Sequence, residues 1–434
     1  MQGRPPAKLE PAQKAARNGV AGLRELTVGY ARFLRENCRY LFLGFLVALT
    51  SSFGQTHFIA AFASDIRASF ALSQGQWGGI YAASTVASAI VMIWAGGLTD
   101  KVGVRLLGAG TMLLLSVACF AISVAQGSAA LVLIIFLLRF AGQGMLGLIS
   151  GVAMARWFVA ARGKALAISS LGFACGQAVM PLIVVSLLPH FHWRAIWIGA
   201  GVALLGAAII TLALLRQDRI PKARSVELEA TGMAGAHWTR KQVLHHPLIW
   251  LMLPAMIGPP AWSTALFFHQ VNLAQSKGWA LMDFVGLFPM LAMTSVIFTF
   301  FIGWLIDRVG ATRIVRFTML PFAAAFAVLA HAQSIGGATL GLFLFGVSMG
   351  LTNTLLGAFW AEIYGTRYLG SIKSLTAATM VFGTALGPGV TGMAIDLGYP
   401  FSDQMQAIAV YFLLAFVSTI FALRLVKSAK RSVT

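Results

Sequence analysis

The residues of this sequence that could do chemistry are few and scattered. Arg139 stands alone among apolar neighbours in LVLIIFLLRFAGQGMLGLIS, residues 131–150. Polar pairs interrupt two other apolar runs: FGQTHF brings Gln55 and His57, and LFFHQV brings His269 and Gln270. A further run, MGLTNTLLGAFWAEIYG, holds Asn353 and Trp360. Arginine keeps its charge at any working pH, so Arg139 must meet an acid, backbone carbonyls, amide side chains, water or an anionic ligand. Histidine titrates near neutral pH and can carry a proton. Amides orient polar ligands, and tryptophan stacks on rings or anchors at a membrane interface. This is the chemistry of recognition and proton exchange. Hydrolysis or group transfer would need nucleophiles, acids or metal ligands clustered in these runs, and the sequence has no such cluster, no P-loop pattern and no metal-ligand spacing. Neither an enzyme nor a metal or organic cofactor is expected.

The elements that position these residues follow from composition. The chain is 58% hydrophobic and only 10% charged, against about 25% charged in soluble domains. Apolar runs recur along it at the length, roughly 20 residues, that crosses about 30 Å of hydrocarbon. Twelve spans are expected, near 40–62, 77–98, 105–125, 129–153, 164–188, 193–215, 248–271, 283–306, 314–333, 337–360, 371–396 and 405–426. Arg139 then lies about 15 Å deep at 1.5 Å per residue, beyond comfortable reach of either interface. The 13 acidic residues all fall in tails, loops or span ends, Glu362 and Asp396 among the last. Backbone carbonyls, Gln55, Gln143, water or an anionic ligand remain as partners for Arg139.

A net charge of +19 would suggest nucleic acid in a soluble chain. Its distribution gives another reading. With both termini in the cytoplasm, 28 of the 32 Lys and Arg residues fall on that side, and only Arg67, Arg194 and Lys277 fall outside. The excess is topological, so nucleic acid is not an expected partner; the lipid bilayer and a small-molecule solute are. The expected location is the cell inner membrane. The first apolar run is long enough to remain as a span, so no cleaved leader is expected. Leu23, Leu26, Tyr30, Phe33 and Leu34 share one helical face, which fits either an interfacial helix or an irregular tail. Cys38, Cys119 and Cys175 offer no extracellular pair, so no disulfide is expected.

The longest polar interruption, 216–247, divides the spans six and six. The expected organisation is a basic tail at 1–39, a bundle at 40–215, a cytoplasmic loop at 216–247, a second bundle at 248–426 and a tail at 427–434. The halves repeat. GGLTDKVGVR closes the second span and GWLIDRVGATR closes the eighth, so Gly96, Asp100 and Gly103 recur as Gly303, Asp307 and Gly310, each 207 residues later, with Lys101 recurring as Arg308. The glycines allow a tight connection, and a carboxylate here can approach the positive end of a neighbouring helix.

This pattern, G-x-x-x-D-[RK]-x-G, resembles the signature of the major facilitator superfamily. It departs at Val104, and at Ala311 and Thr312, where the family has a second basic residue; Arg105 and Arg313 are the nearby cations. The resemblance implies an all-α polytopic membrane protein with twelve transmembrane helices in two pseudo-symmetric six-helix bundles, working as a monomer by alternating access. It implies that helices 1, 4, 7 and 10 line a central cavity, and that Asp100 latches the inner side against helix 11, starting near Ser371. RFAGQG also resembles the family's fourth-helix motif through Arg139, Gly142 and Gly144, which is associated with coupling and with packing on helix 1. Two readings of Arg139 stand: a clamp on helix 1 backbone, or work on the solute.

Helices seven and eleven are read as built to bend, at Pro259 and Pro260 and at Gly383, Gly387 and Pro388. For Trp360 an anchor at the inner interface is the leading reading, and for His269 an interfacial position. Gly163, Gly172 and Gly176 match the glycine spacing of the family's exporter motif, but Gln177 replaces its proline. The function expected is a secondary active transporter, with an ion gradient such as protons as energy source. A buried cation without buried carboxylates points to an organic anion such as a carboxylate, taken up into the cell. The alternatives are import of a neutral ring-bearing nutrient such as a vitamin, export of a drug or metabolite, and a non-transporting sensor.

Overall fold

The computed structural model describes residues 32–158, 161–215, 232–365 and 367–431. Leu23, Leu26 and Tyr30 of the basic tail and most of the central loop lie outside the described residues. Eleven helices are long and apolar enough to cross a bilayer, and one bent pair makes a twelfth. They are α1 (Arg32–Gly54 and Thr56–Phe70), α2 (Gln74–Ala95), α3 (Val104–Val124), α4 (Ser128–Trp157), α5 (Gly163–Leu187) and α6 (Trp193–Leu214). The second half holds α7 (Pro247–Phe268), α8 (Leu281–Val309), α9 (Ala311–His331) and α10 (Ile335–Tyr364). It closes with α11 (Leu369–Asp396) and α12 (Phe401–Val426). No strand occurs among the described residues. Helices answer the physical demand of the bilayer, because each satisfies its own backbone hydrogen bonds.

The internal repeat is visible in the packing. In the first half α2 packs on α4, α3 on α6 and α1 on α5; in the second half α8 packs on α10, α9 on α12 and α7 on α11. Between halves, α2 packs on α11, and its counterpart α8 packs on α5. The fold is therefore two six-helix bundles related by a pseudo-twofold axis. Small and hydroxylated residues make the close crossings, as expected where lipid offers no hydrophobic drive between helices. Ser116 donates to the Gly201 carbonyl (2.8 Å), and Ser150 to the Gly44 carbonyl (2.8 Å). Gly172 and Gly176 of α5 face α1 so closely that added Cβ atoms would sit 2.4 Å from the Phe45 carbonyl and 1.8 Å from Ser52 Oγ. In this chain the exporter-like glycine spacing serves that crossing.

The prolines of α7 and α11 do not break their helices. α7 stays helical through Pro259 and Pro260, and α11 runs unbroken from Leu369 to Asp396 through Pro388. Gly383 and Gly387 serve close approach instead, since their Cβ atoms would meet the Ile257 carbonyl at 2.9 Å and the Ala261 carbonyl at 2.0 Å. The helix that breaks is α1, by 46°. A 3-10 turn over Ser51–Gly54 is followed by Gln55 in extended geometry (φ −86°, ψ 155°), and α-helix resumes at Thr56. Facing it, Arg139–Leu146 of α4 is π-helical, a local widening that frequently marks functional sites.

Candidate functional site

The broken segment of α1 and the π-helical segment of α4 define each other. Gly54 and Gly142 meet backbone to backbone: a Cβ on Gly142 would lie 2.5 Å from Gly54 Cα, and one on Gly54 would lie 2.1 Å from the Leu138 carbonyl. One turn before Gly142, Arg139 is only 1% exposed. Its Nη1 donates to the Gly54 carbonyl at 3.2 Å and to Thr56 Oγ1 at 3.4 Å, and its Nε donates to Thr85 Oγ1 at 3.3 Å. The guanidinium lies 4.9 Å from the centroid of the Tyr81 ring, where the ring face attracts a cation. Tyr81 Oη pairs with Thr56 Oγ1 at 2.6 Å. Arg139 thus ties α4 to both α1 and α2. Its partners are a carbonyl, two hydroxyls and a ring, and neither Gln55 nor Gln143 is among them. Nη2 is buried without a partner.

Beside this clamp lies a cavity of about 560 Å³ between the halves, within the range that holds small organic ligands. Gln55, Thr56 and His57 reach it from the broken α1, Gln143 from α4, and Phe173 and Gln177 from α5. Pro259, Pro260, Ser263, Thr264 and Phe267 contribute from α7, and Thr352 and Trp360 from α10. Thr376, Met380 and Thr384 of α11 complete the polar and thioether surface. No charged side chain lines it among the described residues. Arg139 is outside the lining, one layer behind Thr56.

Several sequence expectations change here. Trp360 is not an interface anchor: it is 1% exposed, stacked on Tyr364 (centroids 5.7 Å apart, planes 7° apart), and it borders the cavity. His269 is 2% exposed, with Nε2 paired to Thr391 Oγ1 at 2.8 Å. Gln270 is fully buried and donates to the His57 carbonyl at 3.2 Å, so it joins the halves and does not line the cavity. His57 lines the cavity, but its Nε2 is buried with no partner. The side chains of Asn353 and Asp100 lie outside the described residues. In the second loop motif Asp307 is exposed, Arg308 rides over the Trp304 ring at 4.2 Å, and Glu362 accepts from the Thr312 amide at 3.1 Å. Only Gly310 uses glycine's conformational freedom (φ +86°); Gly96 and Gly103 have ordinary φ of −56° and −60°.

Sequence reading missed an aromatic contact between the halves. Trp77 of α2 stacks on Phe268 of α7 (5.5 Å), and Phe268 also contacts the Tyr81 ring (4.8 Å). Beyond it, Asp396 at the end of α11 accepts hydrogen bonds from Ser73 Oγ, the Gln74 amide and the Gly75 amide at the start of α2. These contacts lie on the face remote from the chain termini. The cavity instead extends along the half of α10 and α11 that holds Trp360 and Thr376, towards the termini.

Two repeated bundles closed on one face, around a cavity extending to the other, define an alternating-access carrier. The pattern of the Major Facilitator Superfamily matches residues 44–388, and the chain belongs to that superfamily. It is a multi-pass membrane transporter that carries a small-molecule solute, and not an enzyme. A putative metabolite transport protein of Haemophilus influenzae is 26% identical over 388 residues, covering 82% of this chain and 89% of that protein. The multidrug efflux pump LfrA of Mycolicibacterium smegmatis is 28% identical over 226 residues, spanning half of this chain but only 43% of the pump. Among solved structures, a bacterial homolog of the human lysosomal transporter Spinster, inward-facing and unoccupied, superposes with TM-score 0.68 at 16% identity, covering 90% of this chain and 98% of that one. The nucleoside transporter NupG superposes with TM-score 0.63 at 16% identity, covering 91% and 98%.

Proposed function

We propose that the chain takes up a small, neutral, ring-bearing polar solute. The observation that carries this reading is the cavity lining: amides, hydroxyls, thioethers and aromatic rings, with no charged side chain among the described residues. An anionic solute would draw Arg139 into the lining, yet its guanidinium is engaged by Gly54, Thr56, Thr85 and Tyr81. Gln55, Gln143 and Gln177 offer both donors and acceptors to a heteroatom-rich ring, while Trp360, Phe173 and Phe267 offer faces and edges for stacking. Import is favoured over export because Gln177 replaces the proline of the family's exporter motif. The distribution of basic residues supports termini in the cytoplasm, and on that reading the cavity opens to the cell interior.

Binding to the folded state raises stability by mass action, so a panel of solutes screened by thermal unfolding of purified protein is the direct test. Neutral heteroaromatic compounds should raise Tm, and simple carboxylates and organic cations should not. A panel in which only carboxylates stabilise would overturn the reading. Trp360→Ala should weaken the affinity for the identified solute by about 10-fold or more, as loss of an aromatic pair and its buried area implies.

His57 is the one histidine in the lining among the described residues, and imidazole is the side-chain type suited to proton exchange. Uptake driven by a proton gradient would run through it. His57→Asn should abolish uphill accumulation driven by a pH gradient while counterflow of solute between equal compartments continues. Accumulation by that variant at the parent rate would remove His57 from the coupling path.

A further inference from the structure

Helices α2 and α11 come from opposite halves, and their remote ends are built to fit each other. Gly75 and Gly78 of α2 let the backbones meet: a Cβ on Gly75 would lie 2.6 Å from Asp396 Oδ2, and one on Gly78 would lie 2.4 Å from the Pro388 carbonyl. Gly392 of α11 does the same for the Gln74 carbonyl, at 2.6 Å. The start of α2 is closed by a capping box, in which Ser73 Oγ accepts from the Gln76 amide (3.1 Å) and Gln76 Oε1 accepts from the Ser73 amide (2.9 Å). The first amides of a helix have no partner inside it. Here those of Gln74 and Gly75 donate to Asp396 Oδ1 (3.0 Å) and Oδ2 (2.8 Å), and Ser73 Oγ adds a bond to Oδ2 of 2.5 Å. A carboxylate from one half therefore sits on the positive end of a helix of the other, with three charge-assisted bonds.

Closure of the same face has an opposing cost. His57 Nε2 and Gln270 Oε1 are buried without partners where α1 meets α7. Both would regain hydrogen bonds when the halves part, and an unpaired buried polar atom opposes the state that buries it. The closed face must be held by something that compensates.

We propose that Asp396 is that latch: it holds the remote face shut by capping α2, and its release opens the cavity to that face. Bonds to Asp396 exist only while the halves are together, so they bias the two-state equilibrium by their full differential strength. The latch acts in the same way for import and export and for any solute, so it does not depend on the solute proposed above.

The test reads which face the cavity opens to. Ser263 lines the cavity on α7 and is replaced by cysteine in a chain whose Cys38, Cys119 and Cys175 are serine. The protein is reconstituted in liposomes, and a membrane-impermeant maleimide is supplied to one face or the other. Asp396→Ala should raise the labelling rate from the remote face by about 10-fold or more relative to that from the terminal face, and Asp396→Asn should shift the ratio less. Ser73→Ala, which leaves α11 intact, should move it in the same direction by a smaller step. An unchanged ratio in Asp396→Ala and Ser73→Ala, or an equal fall in labelling from both faces, would overturn the proposal.

Discussion

Arg139→Gln is expected to abolish solute exchange, by about 100-fold or more, while the chain still folds in the membrane. The reason lies in what the guanidinium joins. From one side chain it reaches the Gly54 carbonyl at the break of α1, Thr56 just past the break and Thr85 on α2, with the Tyr81 ring behind it. Gln55, between the first two, is extended and points a main element of the cavity lining. A glutamine is shorter and cannot span three elements, so the Gly54 carbonyl loses its donor and the break loses its geometry. A misplacement of about 1 Å can cost a site roughly 100-fold. Stability should change less, because two opposing effects nearly cancel. An orphaned buried carbonyl costs about 1–3 kcal/mol, but removing a buried cation that has no acid partner also removes its desolvation cost. Arg139→Lys should not restore exchange, since a lysine ammonium lacks the planar fork that serves two directions at once. Counterflow in proteoliposomes beside thermal unfolding in detergent checks both halves of the expectation. Parental exchange in Arg139→Gln would remove the clamp from the mechanism.

What the sequence could reveal follows from what hydropathy measures. A span needs its run of apolar residues whatever it packs against, so the helices, their repeat and their family were legible from runs and from the paired motifs at 96–105 and 303–313. Depth along a helix was legible too, which is why Arg139 and His57 stood out. Rotation about the axis was not. It places His57, Gln55 and Trp360 at the cavity, turns Gln270 to the α1–α7 contact and sets Arg139 behind Thr56. The break in α1 is hidden from the sequence for a related reason. Proline removes a donor, yet in α7 and α11 helix continues through it; α1 breaks where Arg139 supplies the donor that Gly54 lacks. The remote clamp could not be read at all, because Ser73 and Asp396 are 323 residues apart and each looks like an ordinary helix end.

The second large effect belongs to a residue with no side chain. Gly142→Val should eliminate transport and sharply lower the yield of folded protein, and Gly142→Ala should reduce transport by about 10-fold. An added Cβ at Gly142 would stand 2.5 Å from Gly54 Cα, 2.8 Å from its amide nitrogen and 3.0 Å from the Ser51 carbonyl. These are backbone atoms, and no flexible tip can swing aside. Relief requires α1 and α4 to move apart, at the ~1–3 kcal/mol typical of overpacking. The Arg139 bond to Gly54, already 3.2 Å, lies one turn away and would lengthen with them. The alanine variant should therefore resemble a weakened Arg139, impaired in exchange before it is impaired in stability. Gly151 provides the control on the same helix, since a Cβ there meets nothing within 4 Å. Gly151→Ala should leave transport intact and match or exceed parental stability, because alanine is the better helix former by ~1 kcal/mol. Equal behaviour of Gly142→Ala and Gly151→Ala in exchange and Tm would mean that the crossing of α1 and α4 is not what fixes the cavity.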